Sequence, residues 1–279
     1  MIRNVLVIAH LTWHEALRRR VLLAALIGGA GFLVLYAVGL HFIVRDLAKA
    51  AKMTLIERRV TLNAITLAGL YAVNLLTVMS AVLLPVDTLA GEISSGSIQT
   101  LAAKPIRRSG IVIGKWLAHI VVVLGYLVLM AGGVLLTARL IGGFTPPGIA
   151  QGLPMMAIEV MLLVSISIAG GARLSTVTNG MAAFGLYGIA FVGNWVEQIG
   201  TYVDNPAARN VGTIASLIMP AEVLWQRAAW FMQPPIMRDL HATPFSPVSV
   251  ASPEMVFWAI GYAMLAIILA IRWFNARQL

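Results

Sequence analysis

Long runs of apolar residues, each close to the length of a membrane-crossing helix, alternate with short polar segments along this chain. A helix needs roughly 20 residues to cross about 30 Å of hydrocarbon. The pattern therefore predicts an all-α integral membrane protein with six transmembrane helices. The predicted spans cover about residues 21–44, 62–90, 111–140, 155–171, 181–199 and 255–274.

The segment before the first span, residues 2–20, has the period of an amphipathic helix. Leu6, Trp13 and Leu17 recur on one side, and basic and histidine residues occupy the other. Such a helix lies in the plane of the membrane interface, with its Trp at headgroup level and its basic residues toward the phosphates. A soluble helix packed on a partner is the alternative. The residues that we expect to anchor the chain to the membrane are Trp13, Arg18, Arg19, Arg20 and Lys115.

Two connecting segments are long enough to have structure of their own. Residues 91–110, between the second and third spans, are rich in Ser, Gly and Thr, with a short helical core from Ile98 to Ala103 that Pro105 ends. Residues 200–253, between the fifth and sixth spans, are too apolar for a solvated linker. We expect one or two short helices there, dipping into the outer leaflet or capping the bundle, and a single domain over 1–279.

The distribution of Lys and Arg predicts which side of the membrane each segment faces. These residues are more frequent in the segments that share a side with the termini than in the short loops opposite. The positive-inside rule then places both termini and residues 91–110 on the cytosolic side of the cell membrane, and residues 200–253 on its outer side. The connection over residues 45–59 is unusually basic for an outer loop.

Composition agrees with a lipid environment and excludes several other classes. The chain of 279 residues is 59% hydrophobic and 11% charged, with a mean hydropathy of +0.88, whereas soluble domains carry about 25% charged residues. The net charge of +9 could indicate nucleic acid, but the basic residues flank apolar spans, so anionic lipid headgroups are the expected counter-charge. The absence of cysteine excludes disulfides, thiolate metal sites and cysteine nucleophiles.

No motif assigns a catalytic, cofactor-binding or metal-binding residue to this chain. The nearest match to a phosphate-binding loop, Gly110–Trp116, is one residue short and ends in Trp instead of a hydroxyl residue. His10 and His14 share a helical face without a third ligand nearby. The Met and Trp residues of 219–237 are better explained as interfacial anchors than as a copper site. Any ATP hydrolysis must therefore occur in another polypeptide.

The polar residues within the spans argue against an ion-coupled carrier, which needs ionisable groups deep in the membrane. Asp87, Glu159 and Glu197 fall near predicted span ends. The deeper polar residues are Asn74, His119 and Asn194. We interpret them as interhelical hydrogen-bonding groups beside a path lined mainly by apolar and weakly polar side chains.

The sequence from residue 90 reads AGEISSGSIQTLAAKPIRRSGIVIGK. It contains an acid, a Gly before a Thr-Leu pair, a Pro followed by basic residues, and a Gly-Lys pair that enters the third span. This segment resembles the bridge between spans two and three of permease subunits in type 2, exporter-like ATP-binding-cassette (ABC) transporters. The matching residues are Glu92, Gly96, Thr100, Leu101, Pro105, Arg107, Arg108, Gly114 and Lys115.

The resemblance extends over nearly the whole chain, with the basic first outer loop as its one departure. It implies a cytosolic coupling helix in a cleft of a separate ABC ATPase, and two identical or similar permease chains paired with two ATPase chains. ATP and magnesium would then bind the ATPase, with no cofactor in this chain. The residues implied in ATPase coupling are Glu92, Gly96, Thr100, Leu101, Pro105, Arg107 and Arg108; the last two and Lys115 could instead bind headgroups or acidic partner residues.

The expected function is that of a permease subunit in an ATP-driven transporter, exporting an amphiphilic or small substrate. A second hypothesis is a permease-like subunit that uses ATPase-driven motion to act on a periplasmic or membrane partner, with residues 200–253 as the working surface. A membrane enzyme is disfavoured, because no acid, His and nucleophile converge on one face in the sequence.

Overall fold

The structure is a computed structural model that describes residues 2–49, 53–97, 107–240, 247, 249–250 and 252–277. Every regular element in this part of the chain is an α-helix. In chain order the helices are α1 (Ile2–Arg18), α2 (Arg20–Lys49), α3 (Leu55–Leu83), α4 (Ala90–Ser94), α5 (Arg108–Gly142), α6 (Ile149–Gly171), α7 (Thr176–Tyr202), α8 (Pro206–Ile218), α9 (Ala221–Phe231), α10 (Pro235–Leu240) and α11 (Glu254–Ala276).

Six of these helices are long and apolar enough to cross a membrane. They are α2, α3, α5, α6, α7 and α11, with lengths between 23 and 35 residues. An isolated helix satisfies its own backbone hydrogen bonds, which is what hydrocarbon requires of a spanning segment. The predicted all-α membrane fold with six spans is confirmed.

Two span boundaries differ from the prediction for local reasons. Helix α3 ends at Leu83 and not near residue 90, because Pro85 has no backbone N–H to continue the ladder. At its other end, α3 begins in a capping box, in which Glu57 N–H donates to Thr54 Oγ1 at 3.2 Å and Thr54 N–H donates to the Glu57 carboxylate at 2.8 Å. Much of the basic segment 45–59 therefore lies on the ends of α2 and α3.

The centre of the bundle is formed by α5 and α6. Helix α5 packs against α1, α2, α3, α6 and α11, and α6 packs against α3, α7, α9 and α11. Helix α2 lies at the periphery, with Leu22, Gly29 and Leu40 as its buried residues. We call the end of the bundle that carries α4 the bridge end, and the opposite end, which carries α8 and α9, the far end.

The N-terminal helix α1 packs directly on α5, at a glycine. A Cβ atom added to Gly114 would lie 2.8 Å from Ile8 Cγ2 and 2.9 Å from the Val5 carbonyl oxygen. Glycine therefore allows the two backbones to approach more closely than any other residue would. The predicted amphipathic helix over residues 2–20 is present as α1, which ends one residue before Arg19.

The described part of the segment between the fifth and sixth spans contains three helices, where the sequence predicts one or two. Helix α8 packs on α7 through small residues, with Ala215 against Gly193 and Ala208 against Gly200. Helix α9 is almost wholly buried against α6 and α7, and also contacts α3 and α11. Helix α9 is therefore part of the core of the bundle.

Adding one methyl group at Gly114 should destabilise the protein. Gly114→Ala forces α1 from α5, and overpacking of this kind costs about 1–3 kcal/mol. Gly125→Ala on the same helix is the matched control, because its added Cβ would meet no atom within 4 Å and Ala has the better helix propensity, by about 0.5–1 kcal/mol. Thermal denaturation of the purified chain should show a lower midpoint for Gly114→Ala and an equal or higher midpoint for Gly125→Ala. Equal midpoints for the two variants would contradict this packing.

Candidate functional site

The segment over residues 91–110, which we call the bridge, follows α3 after a tight turn. The short helix α4 at its start positions Glu92 beside α5. The side chain of Glu92 forms an ion pair with the Nζ atom of Lys115, about two turns into α5. The Lys115 side chain is 2% exposed and that of Glu92 is 19% exposed. A buried ammonium group is tolerated only when its charge is compensated, so this pair fastens the start of the bridge to span three.

Lys115, which the sequence predicts at the lipid headgroups or on a partner, is buried within this chain. Its charge is neutralised inside the chain, and the residue is among the largest fully buried side chains of the described part. Glu92, assigned to the ATPase contact by resemblance, uses one carboxylate oxygen on Lys115. Its other oxygen is buried and has no hydrogen-bond partner among the described residues.

A second link joins the same turn to the interior of α5. Because a carbonyl oxygen can only accept, the Nδ1–H of His119 donates to the Lys115 carbonyl oxygen at 2.8 Å, and its Nε2 is hydrogen-bonded to the Thr88 hydroxyl at 3.0 Å. Both Thr88 and His119 are about 1% exposed. His119, which the sequence places deep in a span, therefore ties α5 to the turn between α3 and α4.

Asp87 connects this turn to two further elements. Its carboxylate accepts a 2.6 Å hydrogen bond from the Thr176 hydroxyl at the start of α7, and lies 3.9 Å from the Arg19 guanidinium. Arg19 also pairs with Glu15 of α1 at 2.6 Å. Burial opposes ionisation of Glu15, but the hydrogen bond and charge of Arg19 outweigh it and lower the pKa of the carboxyl.

The short turn between α6 and α7 is held against the same region by Asn179. Its amide donates to the Val86 carbonyl oxygen at 3.1 Å and to the Ser167 carbonyl oxygen at 2.8 Å. The Ser167 hydroxyl in turn donates to the Val82 carbonyl oxygen at 2.9 Å. The turn before the bridge thus makes polar bonds to α5 and α7 and approaches Arg19, which joins α1 to α2, while α6 bonds to the last turn of α3.

The remaining predicted site residues are distributed as follows. Gly96 lies one residue before the end of this described part of the bridge and has a φ of +73°, a left-handed conformation that favours glycine. Arg107 precedes α5 and is exposed, and Arg108 donates to the carbonyl oxygens of Asn275 and Arg277 at 3.2 and 2.8 Å. Thr100, Leu101 and Pro105 lie outside the described residues, as does the predicted helical core 98–103.

The predicted membrane anchors on α1 differ in their surroundings. Arg18 and Arg20 are exposed, as an interfacial role requires. Trp13 is half-buried and packs against the hydrophobic core, and Arg19 is engaged with Glu15 and Asp87. The anchoring roles of Trp13 and the arginines remain predictions.

A second polar cluster lies toward the far end, where the sequence predicted an apolar path. Glu159 was placed near a span end, but α6 begins at Ile149 and Glu159 is fully buried. Its carboxylate accepts a 3.3 Å hydrogen bond from the Asn74 amide.

Glu222 of α9 is also buried, and accepts from the Tyr187 hydroxyl at 2.6 Å and from the Asn194 amide at 3.2 Å. Glu222 was not predicted as a functional residue, because it lies outside the spans. The sequence feature that could have indicated it is a lone acid in an apolar segment.

Comparison with known proteins identifies the family of this chain. The sequence model of the ABC-2 family transporter proteins matches residues 6–279. The chain belongs to the ABC-2 transporter family. No curated protein matches this ABC-2 chain. The family confirms the resemblance inferred from the bridge and makes the chain a membrane permease subunit of an ABC transporter, which is distinct from the ATPase subunit that such permeases partner.

Membership gives the bridge end of this ABC-2 permease its importance. In the described part of the chain, several polar links between separate elements surround the turn that leads into the bridge. Two of these links reach α5 and two reach α7. A displacement of the bridge would therefore be transmitted to α5 and α7, and through the Asp87–Arg19 contact to the end of α1.

Removing one partner of the Glu92–Lys115 pair should cost more than removing both. Glu92→Gln leaves the ammonium of Lys115 buried without a counter-charge, at a cost of about 3 kcal/mol, whereas the double variant Glu92→Gln/Lys115→Met recovers most of the loss. The stability of the purified ABC-2 chain against heat or denaturant provides the measurement. Effects that simply add in the double variant would show that the two side chains do not interact.

Proposed function

We propose that this chain forms the translocation path of an ABC exporter and that a separate cytosolic ATPase drives it through residues 91–110. The carrying observation is the ion pair between Glu92 of the bridge and Lys115 of α5. Through this pair, a force on the bridge acts on span three directly. The substrate is a small or amphiphilic molecule, in keeping with a bundle whose polar groups are mostly paired within the chain.

The contact with the ATPase is assigned to the part of the bridge beyond Gly96. Because Glu92 is engaged with Lys115, it supports the bridge from within and Thr100, Leu101 and Pro105 touch the ATPase. Arg107 extends this surface, whereas Arg108 fastens the start of α5 to the end of α11. The bridge then acts as a lever whose fixed end is the turn at residues 84–89.

The proposed assembly contains two permease chains, identical or similar, and two ATPase chains. ATP and magnesium bind the ATPases, and this chain carries no cofactor. Both termini and the bridge face the cytosol across the cell membrane, a placement supported by the excess of Lys and Arg on that side. Lipid headgroups contact the exposed arginines of α1.

Leu101→Asp should abolish stimulation of ATP hydrolysis by this permease while the chain still inserts. The substitution places a carboxylate in an apolar contact, where no group of the ATPase cleft compensates its charge. Val203→Asp, at an exposed position of the far end, is the matched control and should leave stimulation unchanged. The measurement is the ATPase rate of the reconstituted complex with each variant. Full stimulation by Leu101→Asp would refute the assignment of the bridge.

A permease-like subunit that moves a membrane or periplasmic partner is the second candidate. It is favoured by the apolar exposed face of α8, which includes Val211, Ile214 and Leu217, each about half exposed. A soluble partner or the lipid itself could cover this face.

A photo-reactive side chain at Ile214 distinguishes these two candidates in intact membranes. For an exporter we expect crosslinks to lipid, because nothing else need contact α8. A crosslink from this position to one specific protein would favour the partner-driving candidate instead, if the crosslink forms in the chain with Leu101 and is weaker in the Leu101→Asp variant.

A further inference from the structure

Two carboxyl groups on adjacent helices are buried in the far half of the bundle, close enough to interact electrostatically, and neither is paired with a cation among the described residues. Glu159 of α6 and Glu222 of α9 are each 1% exposed, and their two helices pack against one another. None of the ion pairs formed by the described residues includes either carboxyl. Two ionised carboxylates so placed would repel each other in a medium that solvates neither.

The two groups differ in how well their surroundings suit a negative charge. Both oxygens of Glu222 accept hydrogen bonds, one from the Tyr187 hydroxyl at 2.6 Å and one from the Asn194 amide at 3.2 Å. Glu159 has a single donor, the Asn74 amide at 3.3 Å, and its second oxygen has no partner among the described residues. The negative charge is therefore better accommodated on Glu222, and the neutral acid on Glu159.

Among the described residues, none of the groups that shift the two carboxyls carries a positive charge. Tyr71 from α3 and Tyr187 from α7 interact electrostatically with both carboxyls, and phenols are neutral or negative but never cationic. In the described parts of α5 and α11, no ionisable side chain contacts either acid. Compensation by a proton costs far less than an uncompensated buried charge.

We propose that Glu159 and Glu222 form a proton-binding site that holds one proton on Glu159, and that this proton leaves when α9 separates from α6. Helix α9 brings Glu222 to the site and, with Gln226 and Trp225, excludes water from it. Displacement of α9 would hydrate both carboxyls, and the proton on Glu159 would pass to water. Movement of α9 is thereby coupled to proton release, independently of the bridge and the ATPase.

The environment of Glu222, which lies outside the six spans, agrees with this linkage. Burial raises the pKa of Glu222, and the hydrogen bonds from Tyr187 and Asn194 only partly offset it. A carboxyl whose pKa is raised on folding contributes its full stability below the unfolded pKa and loses it as pH rises toward the folded pKa. Rising pH should therefore weaken the attachment of α9.

Infrared spectroscopy of the purified full-length chain in lipid nanodiscs tests the protonation directly. At neutral pH we expect the C=O stretching band of a buried protonated carboxylic acid, and expect Glu159→Gln to remove it. Glu222→Gln should leave a protonated-acid band, and Glu254→Gln, at an exposed position on α11, is the control that should change nothing. A neutral-pH spectrum without any band sensitive to Glu159→Gln would overturn the proposal.

Cysteine labelling tests the link to α9, because the natural chain has no cysteine. Ala228→Cys places a thiol on the buried face of α9, and Val203→Cys places a reference thiol at an exposed position. The ratio of their labelling rates by a water-soluble maleimide should rise with pH, by at most about tenfold per pH unit for one proton. In the Glu159→Gln background the ratio should depend on pH less strongly than in the natural chain, because only Glu222 then remains to titrate. The same pH dependence with and without Glu159 would refute the coupling.

Discussion

The fold rests on one constraint, that a charge inside an apolar bundle must be neutralised by a partner held within reach. Lys115 meets this constraint by pairing with Glu92, and the pair fixes where the bridge leaves the bundle. The bridge is therefore joined to α5 by electrostatics as well as by the chain itself. The hydrogen bonds of Thr88, Asp87 and Asn179 then add a second connection to α5 and two connections to α7 around the same turn.

The two ends of the bundle apply this constraint in different ways. At the bridge end, opposite charges from the same chain compensate each other, which gives a strong and permanent connection suited to carrying force. In the far half, Glu159 and Glu222 have no cation among the described residues, and the neutralising species we infer is a proton. A proton can leave its site, whereas Lys115 cannot. We therefore expect the Glu92–Lys115 pair to stay formed and the contact between α6 and α9 to open.

The fold was predictable from the sequence because bilayer-length apolar runs leave few alternatives. All six spans and the amphipathic α1 follow from this pattern, and the family follows from the residues between Glu92 and Lys115. The pairing of those two residues was not predictable, since a lysine beside a span end looks the same in sequence whether it faces lipid or an acid 23 positions earlier. The contact depends on the turn that Pro85 causes, which brings α4 back against α5.

The far-half cluster escaped prediction for a related reason. Span boundaries read from hydropathy place Glu159 near a helix end, but the helix begins at Ile149, and α9 returns from outside the spans to bury the acid. Contacts between a span and a segment some 60 residues later in the chain leave no periodic signal. Only the three-dimensional arrangement of α6, α7 and α9 brings the two carboxyls together.

The central claim is that the bridge and span three move as one body when the ATPase works. Pulsed electron paramagnetic resonance on spin labels at Ser95 of the bridge and Leu129 of α5, both exposed, measures the distance between them in the complex without nucleotide and during ATP turnover. If the bridge and span three move together, we expect one narrow distance distribution that is the same in both conditions. A distribution that shifts or broadens during turnover would show that the bridge moves independently of span three.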